Sequence, residues 1–171
     1  SALGCKIAEW NWNQESTMTN LTTIELFKED MKFSAGHYTI FSPTHREKLH
    51  GHNFTVYAAI TAETNEFGMA FDYDIYKETL RKLCKSLSEF FLVAGASAHQ
   101  TIEEDGDYLY VHFNNEKIPF LQRDVLVLPV KNITVEELSL WFINELTKEQ
   151  AELDKHGIHE ILIKVFSGPG Q

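Results

Sequence analysis

The stretch "HGHNFTVYAAITAE" (residues 50–63) decides the fold, because apolar residues recur at every second position through most of its length. A period of two is the pattern of a β-strand with one buried face. The residues on that face are His50, His52, Phe54, Val56, Ala58 and Ile60. Two histidines therefore leave this strand on the side that faces the core.

A second strand is predicted upstream, where "TTIELFKEDMKFSAG" (residues 22–36) alternates in the same way. Phe27, Met31, Phe33 and Ala35 share one parity, and His37 continues it. If this strand pairs antiparallel with the strand at 50–63, His37 arrives at the adjacent strand end with matching parity. The loop between them contains His45, which we expect to be exposed.

Three histidines in this arrangement are typical of a zinc site. Zinc takes imidazole, carboxylate or thiolate ligands, and a catalytic zinc usually has three protein ligands and one open position. His50 and His52 lie about 6 to 7 Å apart at the backbone, a span that one ion can bridge. We predict that Zn²⁺ binds to His37, His50 and His52. The alternative is a His-x-His pair in a strand with no metal.

Two helices and two further strands complete the predicted domain. Asp72 or Asp74 can cap a helix that runs to about Phe90 and buries Cys84. Thr134 and Glu137 have capping-box spacing at the start of a second helix, "NITVEELSLWFINELTKEQ". "DVLVLPV" and "IHEILIKVF" read as strands, and "NNEK" as the turn of a small inserted hairpin. His99 and His112, near that hairpin, are expected at the surface.

Composition restricts the possible partners and the compartment. The 171 residues carry a net charge of −10, which disfavours nonspecific binding to nucleic acid or to an anionic membrane. Cys5 and Cys84 form no CxxC pattern, so a reducing, cytoplasmic setting is the simpler interpretation. Residues 1–20 are expected to be a flexible N-terminal tail or an expression remnant, with Met18 as a plausible native start. Residues 21–171 then form a single domain.

Several segments together resemble one enzyme family. They are "FSAGH", "REKLHGHNF", "GMAFDYDIYKETLRKLCKSL" and "KNITVEELSLWFINEL", and the similarity extends from about residue 24 to 170. The chain resembles the 6-pyruvoyl-tetrahydropterin synthase and 6-carboxytetrahydropterin synthase family. That resemblance implies an α+β tunnelling fold (T-fold), with an antiparallel four-stranded sheet and two helices on one face. It also implies homo-oligomers, either trimers that close a barrel or hexamers made of two trimers.

The family resemblance implies a zinc-dependent lyase that acts on 7,8-dihydroneopterin triphosphate or a related pterin. Its commonest branch has a cysteine base four residues before the His-Gly-His motif, where this chain has Arg46. The next residue is Glu47, and "REKLHGHN" resembles the malaria-parasite branch, in which glutamate replaces the cysteine. That branch is associated with side-chain cleavage to 6-hydroxymethyl-7,8-dihydropterin. Glu47 is thus the candidate base, or else a loop acid paired with Arg46 or Lys48.

Other family positions differ in this chain. An Asp-His pair normally ends the first helix, and Ser88 and Glu89 stand there instead, which makes Glu89 the second catalytic candidate. A glutamate that anchors the pterin corresponds here to Ser167. The resemblance assigns substrate binding to Thr134, Glu136 and Ser167.

These differences leave two alternatives beside the pterin lyase. One is a T-fold zinc enzyme with a changed substrate, and the other is a zinc-binding homologue without catalysis. The product, the pathway (folate, biopterin or queuosine) and the choice between trimer and hexamer stay open.

Overall fold

The computed structural model describes residues 5–11 and 20–169 of the chain. Its main feature is a seven-stranded sheet. The strands of this sheet, labelled in chain order with the others below, are β1 (Cys5–Asn11), β2 (Leu21–Leu26), β3 (Lys32–His37), β6 (His50–Glu63), β7 (Phe91–Ala94), β11 (Val125–Leu128) and β12 (Ile158–Phe166). Their order is β1-β12-β6-β3-β7-β11, and β2 also pairs with β6. Between β3 and β6, the short strands β4 (Ile40–Ser42) and β5 (His45–Arg46) pair with each other in a separate two-stranded sheet.

The alternation along β6 creates the core as predicted. Phe54, Val56, Ala58 and Ile60 are at most 1% exposed, and they share one apolar cluster with the helices α1 (Asp74–Leu87) and α2 (Val135–Leu146). A short helix, α3 (Gln150–Lys155), adds Leu153 to the same cluster. The predicted α+β architecture, with two helices over one sheet face, is therefore confirmed. Among the described residues, no helix combines the length and apolar character needed to cross a membrane.

Both helix starts differ in detail from their predicted caps. The N-cap of α1 is Tyr73, and Asp72 instead accepts a hydrogen bond from the Asp74 backbone N–H at 3.0 Å. Thr134 does cap α2 by accepting from the Glu137 N–H, but the Glu137 carboxylate accepts from the Lys131 N–H. Only one half of the expected capping box therefore forms.

The C-terminal end of α1 was predicted wrongly. The helix ends at Leu87 instead of near Phe90, because Glu89 adopts a left-handed backbone conformation with φ 69°. A residue in that region terminates a helix and redirects the chain. The redirected chain enters β7, whose residues Leu92, Val93 and Ala94 are buried.

The predicted strand at 22–37 is two strands, β2 and β3, separated by a turn. Leu26 pairs with Ala58 and Lys32 pairs with Thr55, so residues 27–31 lie opposite residues 56 and 57 only. The Met31 N–H closes the turn on the Lys28 carbonyl at 3.0 Å. Phe27 is consequently 59% exposed and outside the core, while Met31 is fully buried.

The register between β3 and β6 confirms the predicted antiparallel pairing. His37 is opposite His50, Ala35 is opposite His52, and Phe33 is opposite Phe54. Side chains on one face of directly opposite residues are close neighbours. This register brings the three histidines to one end of the two strands.

The main sheet is mixed, which corrects the expectation of four antiparallel strands. β7 pairs in parallel with β11 along its length and with β3 at Gly36–Phe91. β1 adds a further strand, antiparallel to β12. Residues 5–11 therefore do not behave as the flexible tail that the sequence predicted, and Trp10 packs against the core. The rest of that segment, residues 1–4 and 12–19 with Met18, lies outside the described residues.

A separate antiparallel sheet, here called the inserted sheet, follows β7. It contains β8 (Gln100–Asp105), β9 (Tyr108–Phe113) and β10 (Glu116–Leu121). The predicted "NNEK" turn is confirmed, with positive φ at Asn114 and Asn115 as a two-residue hairpin favours. A turn at Gly106 and Asp107, with positive φ at Gly106, joins β9 to the third strand, β8. A second apolar cluster joins this sheet to Tyr38 and Ile40, just after His37.

Candidate metal centre and active site

The side chains of His37, His50 and His52 converge at the ends of β3 and β6. One ligand nitrogen from each lies within 4.8 Å of the other two. The ring centroid of His37 lies 4.6 Å from that of His50 and 5.1 Å from that of His52. Strand alternation, which the sequence shows, and the antiparallel register of β3 with β6 together produce this cluster.

Backbone carbonyls fix the orientation of two of these imidazoles. His37 Nδ1 donates to the Ile133 carbonyl at 2.8 Å, and His50 Nδ1 donates to the Lys48 carbonyl at 2.7 Å. A ring whose Nδ1 carries the proton presents an unprotonated Nε2, the form that binds a metal. Ring orientation by a backbone acceptor is the usual support of a metal-binding histidine.

The cluster has an unused donor atom that fits a metal ion. Among the described residues, His37 Nε2 is buried and has no hydrogen-bond partner. A buried polar atom normally has a partner, so this nitrogen requires an explanation. A metal ion shared with the neighbouring imidazoles of His50 and His52 would supply one, since the three ring nitrogens lie close enough together to hold a single ion.

Electrostatics keep the cluster in its metal-binding form. Burial lowers the pKa of His37, and repulsion by His50 and His52 acts in the same direction against the Ile133 hydrogen bond. Burial also lowers the pKa of His52, with a further contribution from His50. Both rings are therefore neutral at pH 7, and a neutral imidazole is the ligand form.

Glu47 lies beside the histidines in the loop that precedes β6. Its N–H donates to the Thr39 carbonyl at 2.9 Å, and its carboxylate accepts from the Thr39 N–H at 2.9 Å. The same carboxylate lies 3.7 Å from His50 Nε2. Burial acts to raise the pKa of Glu47, but the hydrogen bonds with Thr39 and the interactions with His50 and His37 lower it overall. An ionised carboxylate therefore adjoins the cluster.

The alternative pairing of Glu47 with Arg46 is not what the structure contains. The Arg46 side chain forms an ion pair with Glu116 of β10 at 2.8 Å. It reaches Glu47 only through the backbone carbonyl, to which its Nη1 donates at 2.8 Å. His45 is exposed and stacks on Phe41, as expected for a residue outside the cluster.

Glu89 occupies a different environment from Glu47. It is exposed and lines an open cleft of about 520 Å³ together with His52, Asn53 and Asp124. Its backbone N–H donates to the Ser34 carbonyl at 2.7 Å. The sequence alone did not indicate Asp124 as a cleft residue, because it reaches the cleft from the segment that follows the inserted sheet.

The residues assigned to substrate binding lie on three elements. Thr134 caps α2 and lines a second cleft of about 460 Å³, beside Asn132 and His99. Glu136 is exposed in the first turn of α2. Ser167 directly follows β12 and is half-buried.

A family model for 6-pyruvoyl tetrahydropterin synthase matches residues 25–169. The chain belongs to this family. A protein of Methanocaldococcus jannaschii, provisionally named 6-carboxy-5,6,7,8-tetrahydropterin synthase, is 26% identical over 142 residues. That match covers 82% of this chain and 86% of the archaeal protein. The family resemblance read from "HGHN" and its neighbouring segments is thereby confirmed.

Solved structures of the family resemble the fold closely. The 6-pyruvoyl tetrahydropterin synthase of Plasmodium falciparum superposes with a TM-score of 0.83 at 26% identity, covering 88% of this chain and 94% of that one. A Plasmodium vivax enzyme superposes equally well, with a TM-score of 0.83 at 26% identity, covering 89% of this chain and 94% of that one. The P. vivax structure is a variant whose catalytic residue, a glutamate, is replaced by alanine.

Proposed function

We propose that this protein is a zinc-dependent lyase that acts on 7,8-dihydroneopterin triphosphate or a related pterin. The observation that carries the proposal is the convergence of three imidazoles, one with a buried and unpartnered nitrogen, beside the carboxylate of Glu47. Membership of the pterin synthase family supplies the substrate class.

His37, His50 and His52 would hold the metal through their ring nitrogens. A zinc ion held there would supply Lewis-acid polarisation of hydroxyl and carbonyl groups of the substrate side chain. The protein's part is to orient the rings, which the Ile133 and Lys48 carbonyls do for two of them.

Glu47 is the proposed general base. Side-chain cleavage to 6-hydroxymethyl-7,8-dihydropterin and elimination of triphosphate both require removal of a proton from the substrate side chain. A carboxylate is a weak base, and its fixed position beside the metal site compensates by proximity. The two hydrogen bonds with Thr39 provide that fixed position. The catalytic glutamate of the P. vivax enzyme supports this role.

The remaining assignments complete the proposal. Glu89 serves as a second acid or base, and Thr134, Glu136 and Ser167 contact the pterin. Because the family resemblance places active sites at subunit interfaces, we expect a homo-oligomer, either a trimer or a hexamer. We also propose a cytoplasmic location, because Cys5 and Cys84 form no CxxC pattern.

A changed substrate is the second candidate, and Ser167 favours it. The family resemblance expects a carboxylate there that accepts two hydrogen bonds from the pterin. A serine hydroxyl cannot replace both, and each buried donor left unpaired costs about 1–3 kcal/mol. Soaking crystals with pterins and with purine-like compounds separates the two candidates by which compound becomes ordered near Ser167.

Mass spectrometry of the reaction product tests the first candidate. Zinc-loaded protein is incubated with 7,8-dihydroneopterin triphosphate beside a family enzyme that turns it over. We expect a new pterin, and we expect it to disappear in Glu47→Gln while bound zinc is retained. No product under conditions where the control enzyme is active rejects the lyase assignment and leaves the changed substrate or a non-catalytic zinc protein.

A further inference from the structure

The Arg46 guanidinium connects the loop that carries Glu47 to the inserted sheet. Its Nη2 donates to Glu116 Oε2 of β10 at 2.8 Å. The Arg46 side chain is only 14% exposed, whereas that of Glu116 is 51% exposed. A charge-assisted hydrogen bond with one largely buried partner is stronger and more directional than an exposed ion pair.

Two aromatic rings flank the same guanidinium. Its central carbon lies 5.2 Å from the Tyr38 ring centroid and 5.8 Å from that of Phe113. Tyr38 directly follows His37, and Phe113 belongs to β9 of the inserted sheet. Cation–π contacts at such distances are attractive, so Arg46 draws the two segments together.

The contacts continue from Arg46 to the proposed base. Arg46 Nη1 donates to the Glu47 carbonyl at 2.8 Å, and Glu47 exchanges two hydrogen bonds with Thr39. Thr39 is two residues beyond His37. An unbroken series of contacts therefore runs from Glu116 through Arg46 and Glu47 to the segment that follows the first histidine.

Apolar packing makes the inserted sheet a firm support for this series. Tyr38 and Ile40 are buried in one cluster with Val111, Phe113 and Ile118 of the inserted sheet. The Tyr38 hydroxyl also donates to Gln100 of β8 at 2.6 Å. The loop is thus held to the inserted sheet by apolar and polar contacts.

We propose that Arg46 is a positioning residue that holds the Glu47 carboxylate against the histidine cluster by fastening its loop to the inserted sheet through Glu116. The catalytic part of this inference rests on the proposed function, in which Glu47 is the base. The structural part stands on the contacts alone. The inserted sheet thereby gains a role in arranging the active site.

Amide hydrogen exchange tests the structural part without any substrate. The reporters are the Thr39 and Glu47 amides, which donate within the held segment, and the Leu80 amide in α1 serves as reference. In Arg46→Met and in Glu116→Gln we expect both reporters to exchange at least about tenfold faster, because the segment opens locally, while Leu80 is unchanged. The double variant exchanges no faster than Arg46→Met alone if the two residues act as one unit.

A matched control lies on the same strand. Lys117 of β10 covers the Tyr110 ring at 4.1 Å and contacts Glu103, away from the Glu47 loop. Lys117→Met removes a cation over an aromatic ring without touching the loop, and we expect unchanged exchange at Thr39 and Glu47. If Arg46→Met fails to fold, Glu116→Gln retains the aromatic contacts and carries the test.

Kinetics test the catalytic part. We expect kcat to fall about ten- to a hundredfold in Arg46→Met and in Glu116→Gln, with KM and bound zinc unchanged, because a displaced base loses proximity. Unchanged exchange at Thr39 and Glu47 in both variants overturns the positioning role, whatever the activity. Faster exchange with unchanged kcat overturns its catalytic part. An inactive wild-type protein rejects the proposed function, while the exchange result still decides the structural part.

Discussion

The two acidic residues proposed for catalysis, Glu47 and Glu89, are held in different ways. Glu47 is anchored by its backbone and its carboxylate to Thr39, and it lies 3.7 Å from His50. Glu89 is exposed at the bend after α1 and is anchored through its backbone to Ser34. A general base needs a carboxylate in a fixed position. Contacts within a single subunit fix the carboxylate of Glu47, whereas they fix only the backbone of Glu89.

Loss of a histidine ligand is expected to have the largest effect on this arrangement. His37→Ala removes the buried ligand. Loss of a residue that only hydrogen-bonds to a ligand lowers metal affinity by up to about a hundredfold, so we expect loss of the ligand itself to lower zinc affinity by more than that. Competition with a chromophoric chelator measures the affinity. His45→Ala is the control and should bind zinc as the wild type does. Equal loss in both variants contradicts the assignment of the cluster.

Replacement of the two acids compares them directly. We expect Glu47→Gln to lower kcat about 10²- to 10⁴-fold, the usual contribution of a general base. Glu89→Gln should lower kcat less than about tenfold, because its carboxylate faces an open cleft. Steady-state kinetics on preparations with equal zinc content measure both. A larger loss in Glu89→Gln than in Glu47→Gln reverses the roles proposed for these residues.

Lowering the pH should lower the stability of the metal-free protein through His37. The folded-state pKa of His37 lies below its ordinary value of 6.5, so between the two values the unfolded chain binds a proton that the metal-free folded protein does not. The free energy of unfolding is therefore unaffected by His37 above pH 6.5. It declines as the pH falls from 6.5 towards the folded-state pKa of His37. Urea unfolding of the metal-free protein measures this decline. His37→Asn should show a shallower decline than the wild type, and an equal slope excludes His37 as its source.

A buried thiol on α1 tests whether the body of the helix that precedes Glu89 opens in the native protein. Cys84 is buried, and burial raises its pKa to about 12. In a Cys5→Ser background we expect no reaction with a disulfide reagent at pH 8 until the protein unfolds, because thiolate is the reactive form. Reaction of the native protein at the rate of a free thiol would contradict this expectation and would mean that α1 opens in the native state.

The parts of the structure that local patterns determine were predictable from the sequence. Alternation in β6 and the matching parity of β3 predicted that His37, His50 and His52 lie on one face of the sheet, which the register confirms. Thr134 was found as a cap because capping depends on residues within one turn. Cys84 was found as a core residue because it lies on the apolar stripe of α1.

The errors came from contacts between distant segments. "FFLVA" is too short a run to distinguish a helix end from a buried strand, and only pairing with β11 decides it. The strand character of residues 5–11 depends on β12, about 150 residues later in the chain. Arg46 has acidic neighbours in sequence, but its partner Glu116 is supplied by the inserted sheet. Local sequence contains no signal for such pairings.

Anomalous diffraction at the zinc edge, from crystals of the zinc-loaded protein, tests the central claim most directly. We predict one peak per chain, coordinated by His37, His50 and His52, with the Glu47 carboxylate facing the ion and still bound to the Thr39 N–H. A peak elsewhere in the molecule, or a Glu47 side chain turned away from the three histidines, would contradict the account.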